Sequence, residues 1–413
     1  MHDPGRNVAR HLRAAATQTP DLTATLSPLS VSPQGRVVHA QCTFQQLDQE
    51  SDAAARVFHA QGIAQGTRVL LAVRPGHDLI VCMFGLLKLG AVAVAIDPGM
   101  GFQSYLNCVR HARPTALVAV RTAHWLSLLP FAAFQSLEHR VTVGSHHWRQ
   151  QLAQATSSDP RPLAAMSAHD PAAILFTSGS TGAPKGVAYT HGMFDAQIEL
   201  VRSTYGIQPG EVDMPMLPMF ALFNPALGMT TITPLLNPTK PASADPAPIV
   251  AALISERVTN SFGSPAIWAR IADHCDSKRL ALPHLRRVLI AGAPVPDRLL
   301  EQLLRIAPQA QIHTPYGATE CLPVSTIEAK ELLATQRDTA RQGGGTCVGR
   351  AVAGVEIRII RETEGALLTL AETTPCPLGE IGEIIVTGPS VTRAYDGLPA
   401  ATALAKIADG ERV

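Results

Sequence analysis

The stretch Ile174-Leu175-Phe176-Thr177-Ser178-Gly179-Ser180-Thr181-Gly182-Ala183-Pro184-Lys185-Gly186-Val187 passes from an apolar strand into a loop rich in glycine and hydroxyl side chains. Its three glycines let backbone N–H groups turn toward an anion with no Cβ in the way. Thr177, Ser178, Ser180 and Thr181 add donors for phosphate oxygens, and Lys185 adds a mobile positive charge suited to β- and γ-phosphates. The spacing is not that of a Walker loop. Counted from Gly179, Pro184 stands where glycine is required, and Gly186 follows Lys185 where Ser or Thr is required. The chain also lacks a G-x-S-x-G nucleophile elbow. By composition alone, an ordinary Ser/Gly surface loop remains an alternative to a phosphate cradle.

The elements on either side of this loop alternate between strand and helix. Thr43-Phe44-Gln45-Gln46 has the form of a capping box, followed by apolar residues at helical spacing and a stop at Gly62. Arg68–Val73 is expected as a strand, Leu79–Leu89 as a buried helix, and 91–96 and 115–120 as further strands. Residues 79–96 are long enough in apolar character to invite a membrane reading, but Lys88 and Gly90 divide the run, so helix plus strand is expected. Residues 157–162 read as a linker and 172–176 as the strand before the loop. Helices near 249–257, 265–275 and 298–306 then alternate with strands near 259–262, 288–290 and 311–313. Five prolines between Thr233 and Pro248 mark a surface loop, and after Gly343 only strands near 355–360 and 383–387 stand out. Alternation of this kind implies parallel sheets covered by helices.

The composition sets outer bounds. The 413 residues carry 34 Lys+Arg against 33 Asp+Glu, a net charge of +1 that favours neither nucleic acid nor an anionic membrane. Hydrophobic residues at 46% and charged residues at 16% exclude a disordered chain. Aromatic residues, at 5%, are too few for single-strand stacking platforms. Seven scattered cysteines with no C-x-x-C pair suggest free thiols in a reducing cytoplasm, and the N-terminus has no apolar signal core.

A second motif, Thr314-Pro315-Tyr316-Gly317-Ala318-Thr319-Glu320, places an aromatic ring, a hydroxyl and a carboxylate within five residues, Tyr316 to Glu320. Tyr316 can stack on a purine, Thr319 can hydrogen-bond a phosphate or carboxylate oxygen, and Glu320 can hold Mg²⁺. Taken alone, it is also compatible with a surface turn. Together, Thr177 through Gly186 and Tyr316 through Glu320 closely resemble the signature segments of the adenylate-forming superfamily of acyl-CoA synthetases, peptide-synthetase adenylation domains and luciferases.

The resemblance implies roles. Thr177, Ser178, Gly179, Ser180, Thr181, Gly182 and Lys185 would hold ATP phosphates, and Gly292-Ala293-Pro294 with Tyr316, Gly317, Ala318 and Thr319 would hold adenine and the α-phosphate. Glu320 would bind Mg²⁺, and Thr177, Lys185, Thr319 and Glu320 would be the catalytic set. Gly379-Glu380-Ile381-Gly382-Glu383-Ile384 with Tyr395, and Leu87-Lys88-Leu89-Gly90-Ala91, resemble framework motifs. The implied fold is the large N-terminal α/β domain of these enzymes: a first α/β subdomain over 1–170, a second with the phosphate loop over 171–342, and a small β-rich, barrel-like subdomain over 343–413. In the family a ribose-binding aspartate, a hinge and a small C-terminal domain with a catalytic lysine follow. The sequence reaches Val413 without them, so the expectation is the large domain alone, binding nucleotide weakly and adenylating poorly. Neither Asp396 nor Asp409 stands in the family's Gly-Asp context, and neither is assigned to ribose.

The acyl-pocket segment, Phe220-Ala221-Leu222-Phe223-Asn224-Pro225-Ala226-Leu227-Gly228, has Ala221 where acyl-CoA synthetases typically carry His. This run, with Phe262-Gly263-Ser264-Pro265-Ala266, Thr314 through Pro323 and Gly345-Thr346-Cys347-Val348-Gly349, resembles the bacterial β-lactone synthetases of olefin biosynthesis, formerly classed among fatty acyl-CoA ligases. Phe220, Phe223 and Gly263 are the expected pocket residues. The implied reaction activates a hydrophobic 2-alkyl-3-hydroxy acid with Mg·ATP, releases pyrophosphate, and closes a β-lactone with release of AMP. A fatty acyl-CoA or acyl-AMP ligase, using CoA or another external acceptor, and a non-catalytic nucleotide- or acyl-binding module are the alternatives. A P-loop phosphotransferase ranks last. The resemblance is also compatible with an assembly among the enzymes of olefin biosynthesis. His191 is a candidate base for the 3-hydroxyl by position only, with a packed role as its alternative.

Overall fold

A computed structural model describes residues 5–31, 37–176, 184–237, 240, 243–340 and 345–407, with the side chains of 31 and 335–340 excluded. Two helix-covered sheets dominate. In the first the strand order is His139–Val143, Ala116–Val120, Arg68–Ala72, Val92–Ile96, Pro171–Phe176, Gly186–Thr190. Every neighbouring pair is parallel except the last. In the second the order is Gln311–His313, Arg287–Ile290, Asn260–Gly263, Val212–Asp213, Thr230–Ile232, Thr23–Val31, Val37–Thr43, again antiparallel only at the last pair. Sheet membership crosses the linear order of the chain. The N-terminal hairpin joins the second sheet, and the strands on both sides of the phosphate loop complete the first.

The expected local structure forms. Thr43 caps the helix Phe44–Ala60: the Gln46 N–H donates to Thr43 Oγ1 at 3.2 Å and the Thr43 N–H to Gln46 Oε1 at 2.8 Å. Residues 79–96 resolve into the helix His77–Leu89 and the strand Val92–Ile96. Among the described residues no helix is long and apolar enough to cross a membrane. Lys88, which interrupts that run, is wholly buried. Its ammonium donates to Asp48 at 2.5 Å and Asp52 at 2.8 Å, and Arg13 braces both carboxylates from the first helix, Arg10–Gln18. The cation is therefore a fixed part of the packing between the helices Phe44–Ala60 and His77–Leu89. Burial lowers its pKa, and the two aspartates oppose that shift.

After the second sheet come smaller β elements. Tyr316–Ala318, Cys321–Thr326 and Arg350–Ala351 form one sheet, and Glu356–Ile360 pairs antiparallel with Glu383–Thr387. All seven cysteines are free thiols, five of them buried.

Candidate active site

The phosphate loop hangs from a two-stranded neck. The strand Pro171–Phe176 pairs antiparallel with the returning strand Gly186–Thr190, in a register that sets Phe176 opposite Gly186. A Cβ on Gly186 would come within 2.7 Å of the Phe176 ring, so only glycine closes this neck. The expected cradle residues Thr177, Ser178, Gly179, Ser180, Thr181 and Gly182 lie outside the described residues. The returning strand is bound on its other side by residues 394–396: the Asp396 N–H donates to the Gly186 carbonyl at 2.7 Å and the Ala188 N–H to the Ala394 carbonyl at 3.2 Å. Arg68 grips both Asp396 carboxylate oxygens at 2.8 and 2.9 Å, which makes that carboxylate a structural anchor.

This arrangement brings Lys185 and the second motif together. The Lys185 ammonium lies 4.8 Å from the centre of the Tyr395 ring. The Tyr395 hydroxyl donates to Glu320 Oε1 at 2.7 Å. Burial, then the hydrogen bond to Glu320 and its charge, push the Tyr395 phenol upward, so it stays a protonated donor across the working pH range. Tyr189, on the returning strand, donates its hydroxyl to the Thr319 carbonyl. The Lys406 ammonium is lowered by burial, partly opposed by Glu320. Glu320, joined through Tyr395 to Lys185, thus offers hard oxygen donors, a donor set that fits one Mg²⁺-binding carboxylate with phosphates and water as the remaining ligands.

Three neighbouring parallel strands, Asn260–Gly263, Arg287–Ile290 and Gln311–His313, end at the same edge of the second sheet. From that edge emerge Ser264, the turn Gly292-Ala293-Pro294 and the motif beginning at Thr314, as expected where ligands bind α/β sheets. Gly292 has φ +93°, which a glycine adopts without strain. Ala293, Pro294 and Tyr316 are exposed, so an aromatic face and a backbone turn both face outward at this edge. Gly317 is tight, since a Cβ there would stand 2.7 Å from Leu322 and 2.9 Å from the Cys321 carbonyl.

On the other flank of the same motif lies an apolar cavity of about 60 Å³, bounded by Pro315, Leu322 and Pro323 on one side and by Phe220, Phe223 and Phe262 on another. Phe220 comes from the 3₁₀ turn Pro218–Leu222 and stacks on Phe262 with ring centres 3.7 Å apart. Gly263 does not line the cavity. A Cβ at Gly263 would meet the Trp268 indole at 2.8 Å, and Ser261 and Phe262 face the cavity instead. Ala221 and Met216 line a separate groove of about 850 Å³ between the two sheets. His191 is packed: it is fully buried, its Nδ1 accepts from the Val8 N–H at 3.2 Å, and burial pushes its pKa down to about 4. It does not line the cavity.

Two contributors escape a linear reading. Tyr395 reads as framework in the sequence and proves to be the donor that holds Glu320. Asp213 lines the floor of the cavity, and its only sequence signal is a lone acid in the apolar run Val212-Asp213-Met214-Pro215-Met216.

Comparison with known proteins agrees with this geometry. The AMP-binding enzyme family matches residues 12–396. The olefin beta-lactone synthetase of Stenotrophomonas maltophilia (strain K279a) is 41% identical over 409 residues, 97% of this chain and 73% of its own length. The olefin beta-lactone synthetase of Xanthomonas campestris pv. campestris is 41% identical over 98% of this chain and 74% of its own length. Among solved structures, the N-terminal domain of FACL13 from Mycobacterium tuberculosis superposes with a TM-score of 0.76 at 20% identity, covering 97% of this chain and 92% of that one. VinN does so with a TM-score of 0.75 at 22% identity, covering 96% and 91%. At those identities the two structures carry the fold alone.

Proposed function

This chain belongs to the AMP-binding enzyme family, and from that premise we propose that it activates a 2-alkyl-3-hydroxyalkanoic acid as its acyl-adenylate and closes the product to a β-lactone. It is an ATP-dependent, AMP-forming enzyme. The observation that carries the reading is the setting of residues 314–323: Tyr395 links Glu320 by its hydroxyl and Lys185 by its ring, and Pro315, Leu322 and Pro323 line an apolar cavity. A nucleotide and an acyl chain would meet across this stretch.

In the first step the acid's carboxylate attacks the α-phosphorus of ATP and pyrophosphate leaves. Lys185 offsets charge on the phosphates, with Thr177, Ser178, Ser180 and Thr181 as further donors. Thr319 would contact the α-phosphate, while Tyr316 and Gly292-Ala293-Pro294 would enclose adenine. Mg²⁺, held by Glu320, would neutralise charge on the departing pyrophosphate. In the second step the 3-hydroxyl attacks the acyl carbon, a four-membered ring closes and AMP departs. The enzyme's contribution there is to hold that hydroxyl close to the carbonyl. Ala221, with its small apolar side chain, leaves the acyl-side turn without a titratable group.

The test is incubation with Mg·ATP and a 2-alkyl-3-hydroxy acid in the absence of CoA, following AMP release and the β-lactone carbonyl by infrared. Lactone without CoA is the expected result. Thioester formed only after CoA is added would make the chain an ordinary acyl-CoA ligase.

A further inference from the structure

A cavity that receives alkyl groups has no use for a charge, yet a carboxyl group lines this one. Asp213 is 6% exposed and is the only acid among the described residues that line the cavity. Its Oδ2 accepts from the Asn224 side-chain amide at 2.8 Å. The nearest cation is already engaged. Arg287, two strands away beyond Asn260–Gly263, pairs with Glu211 at 2.7 Å, both side chains are under a tenth exposed, and Asn260 on the strand between bridges them. Asp213 and Glu211 thus share one guanidinium, and Asp213 is left with an amide partner and an apolar wall. A buried carboxyl without its own counter-ion is costly, and function is the usual reason for keeping one.

The same surroundings set its proton affinity. Burial pushes Asp213 up to about 7, Asn224 and Arg287 pull it back, and Glu211 adds to the rise. The other titratable group on the cavity wall, Tyr205, is pushed up to about 12 by burial and stays neutral.

The lactone-forming reading, on which this inference rests, needs such a group in its second step only. Adenylation consumes a carboxylate and requires no base. Ring closure must dispose of a hydroxyl proton two carbons from the acyl carbonyl, on the acyl side of residues 314–320. Lys185 is a cation and Tyr395 is a donor to Glu320, so neither supplies an acceptor there. We infer that Asp213 accepts the 3-hydroxyl proton as that oxygen attacks the acyl carbon. The new C–O ring bond forms, the bond from the acyl carbon to the phosphate oxygen breaks, AMP leaves with that electron pair, and the proton rests on Asp213 until solvent removes it. His191 is excluded by its burial away from the cavity.

The experiment compares two acids with the same chains, a 2-alkyl-3-hydroxyalkanoic acid and the 2-alkylalkanoic acid that lacks the hydroxyl. Adenylate formation is read as hydroxylamine-trapped product from both acids, and closure as lactone from the hydroxy acid alone, across pH. In Asp213→Asn, closure should fall at least about thirtyfold relative to adenylate formation, with acyl-adenylate accumulating and the acid limb of closure lost. Asn224→Ala keeps the carboxyl but removes a donor that favours its charged form, so the acid limb of closure should move to higher pH. This second variant serves equally if Asp213→Asn does not fold. Closure within threefold of wild type in Asp213→Asn, a parallel fall of both half-reactions, or an unmoved acid limb in Asn224→Ala overturns the assignment. A wild-type enzyme that adenylates both acids and makes no lactone overturns the lactone-forming reading itself, and the inference with it.

Discussion

The Tyr395 hydroxyl donates to Glu320 Oε1 at 2.7 Å, joining the last β segment to the second motif across 75 residues of chain. The same ring lies under the Lys185 ammonium. One tyrosine therefore positions two charged groups of opposite sign, the carboxylate through its hydroxyl and the cation through its ring face. Tyr395→Phe separates the two effects by removing only the hydroxyl. A hydrogen bond to a charged group contributes about 1.5–3 kcal/mol. The expected outcome is a roughly tenfold or greater loss of kcat/KM for adenylation and a higher Mg²⁺ requirement. The Mg²⁺ dependence of pyrophosphate release checks it, and an unchanged Mg²⁺ dependence would contradict the role assigned to Glu320.

Phe220 lines the apolar cavity proposed to take the acyl chain. With its ring stacked on Phe262, about 60 Å³ is open, less than an engineered cavity of about 150 Å³ that holds benzene. A long alkyl chain enters only if the Phe220 ring leaves Phe262. Phe220→Ala should therefore lower KM for the bulkiest 2-alkyl acids relative to the smallest. KM values over a chain-length series give the answer, and a uniform change across the series would show that Phe220 does not limit entry.

Lys88 anchors the helix packing of the first half. Removing it as Lys88→Met leaves Asp48 and Asp52 with Arg13, and Asp52 also with the Arg161 N–H, in a buried setting. Breaking a buried ion pair from one side costs about 3–5 kcal/mol. Urea unfolding should show a loss of that order. A loss under about 1 kcal/mol would mean that Arg13 and the Arg161 N–H satisfy both carboxylates.

Asp213 destabilises the fold that contains it. Its folded pKa of about 7 lies above the ordinary 3.8, so the protonated form is favoured on folding. The contribution to stability is fully present below about pH 4 and is lost as pH rises through about 7. Asp213→Asn cannot ionise and escapes that loss. It should be more stable than wild type at pH 8 by about 2–4 kcal/mol, read as a higher unfolding temperature, and the gap should narrow as pH falls toward 4. Melting curves at pH 5 and pH 8 decide it; a gap that does not change with pH would remove ionised Asp213 as the cause.

The features legible in the sequence are local ones. The glycine and hydroxyl pattern around Lys185, the capping box at Thr43, the division of residues 79–96 and the alternation of strands with helices all follow from turn chemistry and periodicity within a few residues. The tertiary structure decided which distant residues meet. Tyr189 reaches the Thr319 carbonyl across 130 residues, Arg68 grips Asp396 across 328, and the hairpin Thr23–Thr43 pairs into a sheet whose other strands begin at Val212. Gly263 and Phe262 differ by one position, yet Phe262 lines the cavity while a Cβ at Gly263 would meet Trp268. An acid in an apolar strand reads the same in sequence whether it meets solvent, an arginine or a substrate cavity. For Asp213 the difference rests on Arg287 being spent on Glu211, a pairing that spans the intervening strand Asn260–Gly263 and that no local pattern encodes.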